Sequence, residues 1–359
     1  MPGKQIAMLL PVFTRAYMCE PASIYIYPAG KRLPRGMTRF FPVLPASAEF
    51  NYNGGKRADE RKGNHGEPEL QSFLKGARCM ETIKISVLCE NTVGSMAGIS
   101  GEWGLSMLVE TKDAKILFDT GERGHLADNA PALGVDLQTV DALVLSHGHY
   151  DHTGGLPAFL RLRGPVPVYA HPDLFASHYS LLQREHYIGV PFRRELLESM
   201  GADFIWVRQA QEIKPGLWIS GTVPRTTDFE KGDGRLYMKR DGQKLPDPFA
   251  DDMSLFCATP AGLLIILGCA HAGVVNIVEH ARQVTGIDYV YGIIGGTHLG
   301  PASAEQQEAT IDYLQKLNLR FLAANHCTGL PVMAKLAAAF GSVFHFAPAG
   351  SVFELPVKN

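Results

Sequence analysis

Three times in this chain an apolar β-like run ends at a histidine, passes a glycine and gives way to a helical pattern. The stretches are "DALVLSHGHYDHTGGLPAFL", "LLIILGCAHAGVVNIVEHA" and "LRFLAANHCTGLPVMAKLA". Fully buried strands read as continuous apolar runs, and amphipathic helices as apolar positions at a 3.6-residue period. Strand-rich stretches with such helices between them imply sheets covered by helices, an α/β or α+β layered domain. Packed side by side, these turns converge at one sheet edge, where helix N-termini favour anions. "YGIIGGTHLGPASAEQQ" places His298 in a fourth position of the same kind.

The first turn is the densest. "SHGHYDHTGG" brings His147, His149, Asp151 and His152 into six positions. On extended chain, residues i and i+2 point the same way, so His147 and His149 can face one ion. Asp151 and His152 lie on the turn beyond, within reach of a second ion. Gly154 and Gly155 are expected to let the backbone turn tightly before the next helix. Imidazoles and carboxylates are ordinary zinc ligands, and burying them uncompensated is costly, so a metal role explains the crowding better than packing does.

Composition narrows the setting. Hydrophobic content of 46% and charged content of 19% describe a globular protein with ample core. A formal charge of −2 gives no support for a nucleic-acid or membrane-surface partner. No apolar run is long enough to span a membrane. Six cysteines without a C-x-x-C pair do not make a disulfide framework and fit a cytoplasmic setting. Cys269 and Cys327, at strand ends, read as buried small hydrophobes.

Residues 1–79 differ from the rest, with 12 Lys and Arg against 6 Asp and Glu, 8 of the 23 prolines, and no sustained periodicity. They read as an N-terminal extension, either disordered or upstream of a true start at Met80, with a targeting segment as the third reading. Residues 80–359 read as the folded domain, with a long surface excursion at about 208–253.

"SHGHYDHTGG" resembles the H-x-H-x-D-H signature of the metallo-β-lactamase superfamily, and "AKILFDTG" resembles the strand ending in aspartate that precedes it. "GCAHAGVVNIV", "GGTHL" and "NHCTG" resemble a narrower group, that of the dihydropterin–ribosylaminobenzene phosphate synthase. The resemblance covers about residues 82–358 and implies a four-layer αββα sandwich with one or two divalent ions at the sheet edge, zinc first, manganese or iron as alternatives. It implies His147 and His149 on one metal, Asp151 and His152 on the other, and His326 as the C-terminal ligand. Relatives carry an aspartate about where "LGCAH" stands, so His271 is assigned to either metal, and His298 is a ligand or a substrate contact.

A site with such a net positive charge calls for a small anionic substrate. Asp151 is the candidate catalytic group, and Arg225 and Thr328 are candidate substrate contacts, with surface charge and helix capping as their alternatives. The same ligands serve a transferase that displaces diphosphate from a dihydropterin, or a hydrolase of a phosphodiester, lactone or related ester. A non-catalytic metal- or ligand-binding module is the third reading.

Overall fold

The computed structural model describes residues 82–356, apart from positions 96 and 183. The extension expected over residues 1–79 lies outside the described residues. The first strands are β1 (Thr82–Cys89), β2 (Ser106–Glu110), β3 (Lys115–Phe118), β4 (Ala142–Val144), β5 (Val166–Ala170) and β6 (His178–Leu181). Next come β7 (Glu185–Tyr187), β8 (Ala202–Trp206), β9 (Gln211–Lys214), β10 (Leu217–Ile219), β11 (Leu236–Arg240) and β12 (Gln243–Pro246). The last are β13 (Leu255–Thr259), β14 (Gly262–Leu267), β15 (Val290–Gly296), β16 (Phe321–Asn325), β17 (Phe344–Phe346) and β18 (Val352–Pro356).

Two seven-stranded sheets carry the domain, in the orders β18-β1-β2-β3-β4-β5-β8 and β17-β16-β15-β14-β13-β10-β9. Each is antiparallel on one side and parallel on the other. Between them Ile83, Ile85, Met107 and Phe118 of the first sheet meet Leu255, Leu264, Ile266 and Ile294 of the second. In β14 the alternate residues Leu263, Ile265 and Leu267 turn outward onto the helices Val274–Thr285 and Leu330–Phe340, through Ile277, Val278 and Leu336. That is why "GLLIIL" has no polar position: both faces of the strand are covered. The other sheet is covered in the same way, by Leu126, Leu156 and Phe159 of its helices. The result is the expected αββα sandwich.

The segment 208–253, read as a surface excursion, is built of strands. It holds β9 and β10, which extend the second sheet, and β11 and β12, which join β6 and β7 in a separate four-stranded sheet. The turn between β11 and β12 is Asp241–Gly242, with φ of 53° and 78°, as the two-residue hairpin turn matching strand twist requires.

The parallel halves place the site. Asp119 follows β3, His147 follows β4, His271 follows β14, His298 follows β15 and His326 follows β16. Every one of these is at or beyond the carboxyl end of its strand, so the two sheets deliver their polar turns to one edge.

Candidate metal centre

His147 and His149 leave β4 on extended chain, and the short helix Tyr150–Thr153 then presents Asp151 and His152. Gly154 and Gly155 have ordinary helical φ values of −67° and −79°. Their role is close approach rather than the expected tight turn: a Cβ would lie 1.9 Å from the Glu122 carbonyl oxygen at Gly154 and 2.0 Å from that of Thr120 at Gly155.

The six proposed metal ligands fall into two groups of three. The donor atoms of His147, His149 and His271 lie within 4.8 Å of one another, as do those of Asp151, His152 and His326. All six residues are buried.

Hydrogen bonding fixes which nitrogen each ring offers. Asp119 Oδ2 takes the Nδ1 proton of His152 at 2.7 Å and the Ser146 hydroxyl proton at 2.7 Å. Ser146 Oγ is then free to accept from His147 Nδ1, 2.8 Å away. His326 Nδ1 meets Asn91 Oδ1 at 2.9 Å. A carboxylate or amide oxygen only accepts, so in all three rings Nδ1 carries a proton and Nε2 is the nitrogen left to face a cation. His147 Nε2, His149 Nε2 and both nitrogens of His271 have no hydrogen-bond partner. His152 Nε2 faces His326 Nε2 at 3.2 Å, a pair that a shared proton bridges in the metal-free protein and that a cation would bridge in its place. Orphaned, buried imidazole nitrogens converging as those of His147, His149 and His271 do are what a divalent cation would satisfy.

Electrostatics agree. Burial, then the neighbouring His178, pushes His149 down to about 3, and burial holds His147 and His271 well below the usual histidine range. These three rings are neutral at pH 7, the form that binds metal. For His152 burial works the other way from its carboxylate neighbours Asp119 and Asp151, which win and raise it to about 9. Burial disfavours the Asp151 carboxylate, but His152 and His326 hold it well below the usual range.

The site opens on a cavity of about 300 Å³. One wall carries His149, Asp151, His271, His298 and His326. Apolar lining comes from Trp103, and from Leu182, Ile188 and Leu236 in and around the four-stranded sheet. The cation at the cavity is Arg235, tied to Asp233 through Nε at 2.8 Å. Arg225 is not brought there. Its guanidinium donates to the Glu230 carbonyl oxygen at 2.6 Å, while the Glu230 carboxylate accepts from the Val275 and Asn276 N–H groups at the start of a helix. Thr328 neither lines the cavity nor caps: its Oγ1 accepts from the Thr297 N–H and hydroxyl, at 3.1 and 3.0 Å.

Three sets of residues were not assigned to the site from the sequence. Cys269 is no mere core filler: its sulfur groups with His147 and His152 and lies 3.1 Å from His152 Nε2. His178, bonded to Asp247 at 2.7 Å, stands 5.2 Å from the His149 ring, centroid to centroid. The segment 247–252 also stacks Phe249 on His271, with centroids 4.5 Å apart.

Comparison with known proteins agrees with this geometry. Residues 104–225 match the family model of the metallo-beta-lactamase superfamily. The chain belongs to that superfamily. Within it, the chain is 30% identical over 286 residues to the 7,8-dihydropterin-6-methyl-4-(beta-D-ribofuranosyl)-aminobenzene-5'-phosphate synthase of Methanocaldococcus jannaschii, covering 77% of this chain and 97% of that protein. An uncharacterized protein of the same archaeon is also 30% identical, over 70% of this chain and 93% of its own. Among solved structures, a metal-dependent hydrolase of the beta-lactamase superfamily superposes with a TM-score of 0.66 at 27% identity, covering 76% of this chain and 99% of that one.

Proposed function

We propose that this chain is a divalent-metal-dependent transferase that joins a dihydropterin, activated as its diphosphate, to a ribosylaminobenzene phosphate. The observation that carries the metal part is the pair of buried three-donor groups beside the cavity, the first of them with unpartnered nitrogens on all three rings. The synthase named above, matched over nearly its whole length, supports the reaction.

His147, His149 and His271 would hold one ion, and Asp151, His152 and His326 the other, zinc being the ion their nitrogen-rich donor set suits best. Ions there supply Lewis acidity towards an anionic leaving group and acidify water. Asp119 keeps one ligand of each group in its productive tautomer, directly for His152 and through Ser146 for His147. Asp151, its carboxylate held well below the usual range by His152 and His326, would be both metal ligand and the hydrogen-bond acceptor that orients a reacting oxygen in the cavity. Trp103, Leu182, Ile188 and Leu236 would offer apolar contact to a ring. Arg235 gives the anionic end a cation already oriented by Asp233. We expect a small-molecule partner rather than nucleic acid or a membrane; among the described residues no helix is long and apolar enough to cross a membrane. A cytoplasmic setting belongs to the same proposal, supported by the four free cysteines of the described region.

The 27%-identical metal-dependent hydrolase favours hydrolysis as the second reading. One experiment separates the two. Metal-loaded protein is given dihydropterin diphosphate with and without the ribosylaminobenzene phosphate acceptor, and products are weighed by mass spectrometry. A condensed product that needs the acceptor supports the transferase. Release of diphosphate to water alone supports the hydrolase, and metal-loaded protein inert towards both overturns the substrate assignment.

A further inference from the structure

Beside the two histidine groups the cavity holds a third cluster of donors, built differently. The sulfurs of Cys269 and Cys327 and a ring nitrogen of His298 lie within 4.8 Å of one another, and all three residues line the cavity. They arrive from three consecutive parallel strands: Cys269 follows β14, His298 follows β15, and Cys327 follows β16. β15 separates β14 from β16, so the two cysteines meet only because something gives way at its end. Gly296 is that place. A Cβ there would lie 2.7 Å from Cys327 Sγ and 3.4 Å from Cys269 Cα.

Cys269 Sγ has His152 Nε2 at 3.1 Å, but the other two side chains are poorly satisfied by protein alone. Both ring nitrogens of His298 lack a hydrogen-bond partner. The Cys327 thiol reaches only the Cys269 carbonyl oxygen, at a long 3.6 Å. The His298 N–H donates to Cys327 Sγ at 3.2 Å, a contact that strengthens as the sulfur gains negative charge. Asp233 Oδ2 stands 3.6 Å from His298 Nε2, where a carboxylate can orient a ligating imidazole.

We propose that Cys269, His298 and Cys327 form a further cation site, one that takes a soft or borderline divalent ion such as cadmium or zinc. Thiolate donors select such ions over magnesium or manganese, which prefer oxygen. Each thiol gives its proton to solvent as its sulfur–metal bond forms. The site stands on its own residues and not on the proposed reaction. Cys269 is within reach of His147 and His152 as well, so the residues that distinguish this site are Cys327 and His298, which belong to neither histidine group.

The test uses the full chain, stripped by chelator under reducing conditions and titrated with cadmium. Thiolate-to-cadmium charge-transfer absorption and total bound cadmium are both read. Cys327→Ser and His298→Asn are each expected to bind about one ion fewer than the parent. Cys327→Ser should also lose much of the absorption, which His147→Ala should retain. Asparagine suits position 298, whose φ is 48°. The other cysteines, Cys19 and Cys79 included, are the same in every variant, so differences report on this cluster. Parent-like absorption and content in both Cys327→Ser and His298→Asn would overturn the proposal. So would absorption lost in His147→Ala but kept in Cys327→Ser, which assigns the sulfur contact to Cys269 within the histidine centre. Cadmium bound through thiolate with none at the histidine groups would support this site and count against the metal centre proposed above.

Discussion

Asp251 and Asp252 are neighbours in the chain, yet they hold two different ligand loops. Asp251 Oδ2 accepts from the Gly148 N–H, between His147 and His149, at 2.8 Å, and Asp252 Oδ2 accepts from the Ala272 N–H, beside His271, at 2.8 Å. Both carboxylates are buried. The two sit at the end of a turn closed by the Asp252 N–H on the Phe249 carbonyl oxygen at 3.2 Å, so one dipeptide can set the spacing between two loops from different sheets. Removing either carboxylate, as in Asp251→Ala or Asp252→Ala, leaves a buried N–H unpaired. A stability loss of about 1–3 kcal/mol should follow in urea unfolding. A chelator competition should also show metal affinity falling roughly 10- to 100-fold, as for other groups that orient ligands. Lower stability with unchanged affinity would restrict the pair to a scaffolding role.

Asp119 reaches further than its own contact with His152. In Asp119→Asn the amide can donate to His152 Nδ1, which moves the ring proton to Nε2, the nitrogen facing His326 and Cys269. Metal affinity should fall roughly 10- to 100-fold. Nitrogen chemical shifts of the metal-free protein, recorded above about pH 9 where the parent ring is neutral, should show the His152 tautomer reversed. An unchanged tautomer would remove Asp119 from this role.

The metal-free protein should be acid-sensitive through His149. Its folded pKa of about 3 lies below the ordinary 6.5, so the unfolded chain binds the extra proton. Stability therefore has this contribution in full above about 6.5 and loses it as pH falls towards about 3. His147 and His271 act with the same sign. Urea midpoints measured across that range should slope less in His149→Asn than in the parent. Parallel slopes would mean that the ring is solvated.

The apolar cavity wall should govern binding more than chemistry. Trp103→Ala and Leu236→Ala each remove apolar contact on the order of 1.5 kcal/mol, so KM should rise about tenfold. With kcat nearly unchanged, the loss is of uniform binding. A fall in kcat at constant KM would place these side chains against the reacting atoms instead.

The parts of the molecule that could be read from sequence were those in which chemistry is local. Four donors in six positions identify the first turn, and unbroken apolar runs such as "LLIIL" identify the covered strands. The hairpin β11–β12 was missed because its residues 243–246 are all exposed and carry no apolar alternation. Its Asp241–Gly242 pair was nonetheless a visible turn signal. Arg225 illustrates the opposite difficulty: a guanidinium is equally fit to bind phosphate or to hold a loop, and only its contact with the Glu230 carbonyl oxygen decides. Cys269 and Cys327 are 58 residues apart, and no spacing rule links Asp251 to Gly148 across 103 residues. Such relations exist only once the strands are in register.

Asp119, His298 and His326 sit on left-handed backbone, with φ of 62°, 48° and 49°. For a residue with a Cβ that conformation costs about 1–2 kcal/mol, and glycine would be relieved of it. Whoever tries to toughen this protein will therefore find tempting gains along the edge of the cavity. There, glycine would buy resilience by erasing a ligand or its orienter. Useful stabilising changes should be sought on the outer helices instead, where sequence can drift without moving a donor atom.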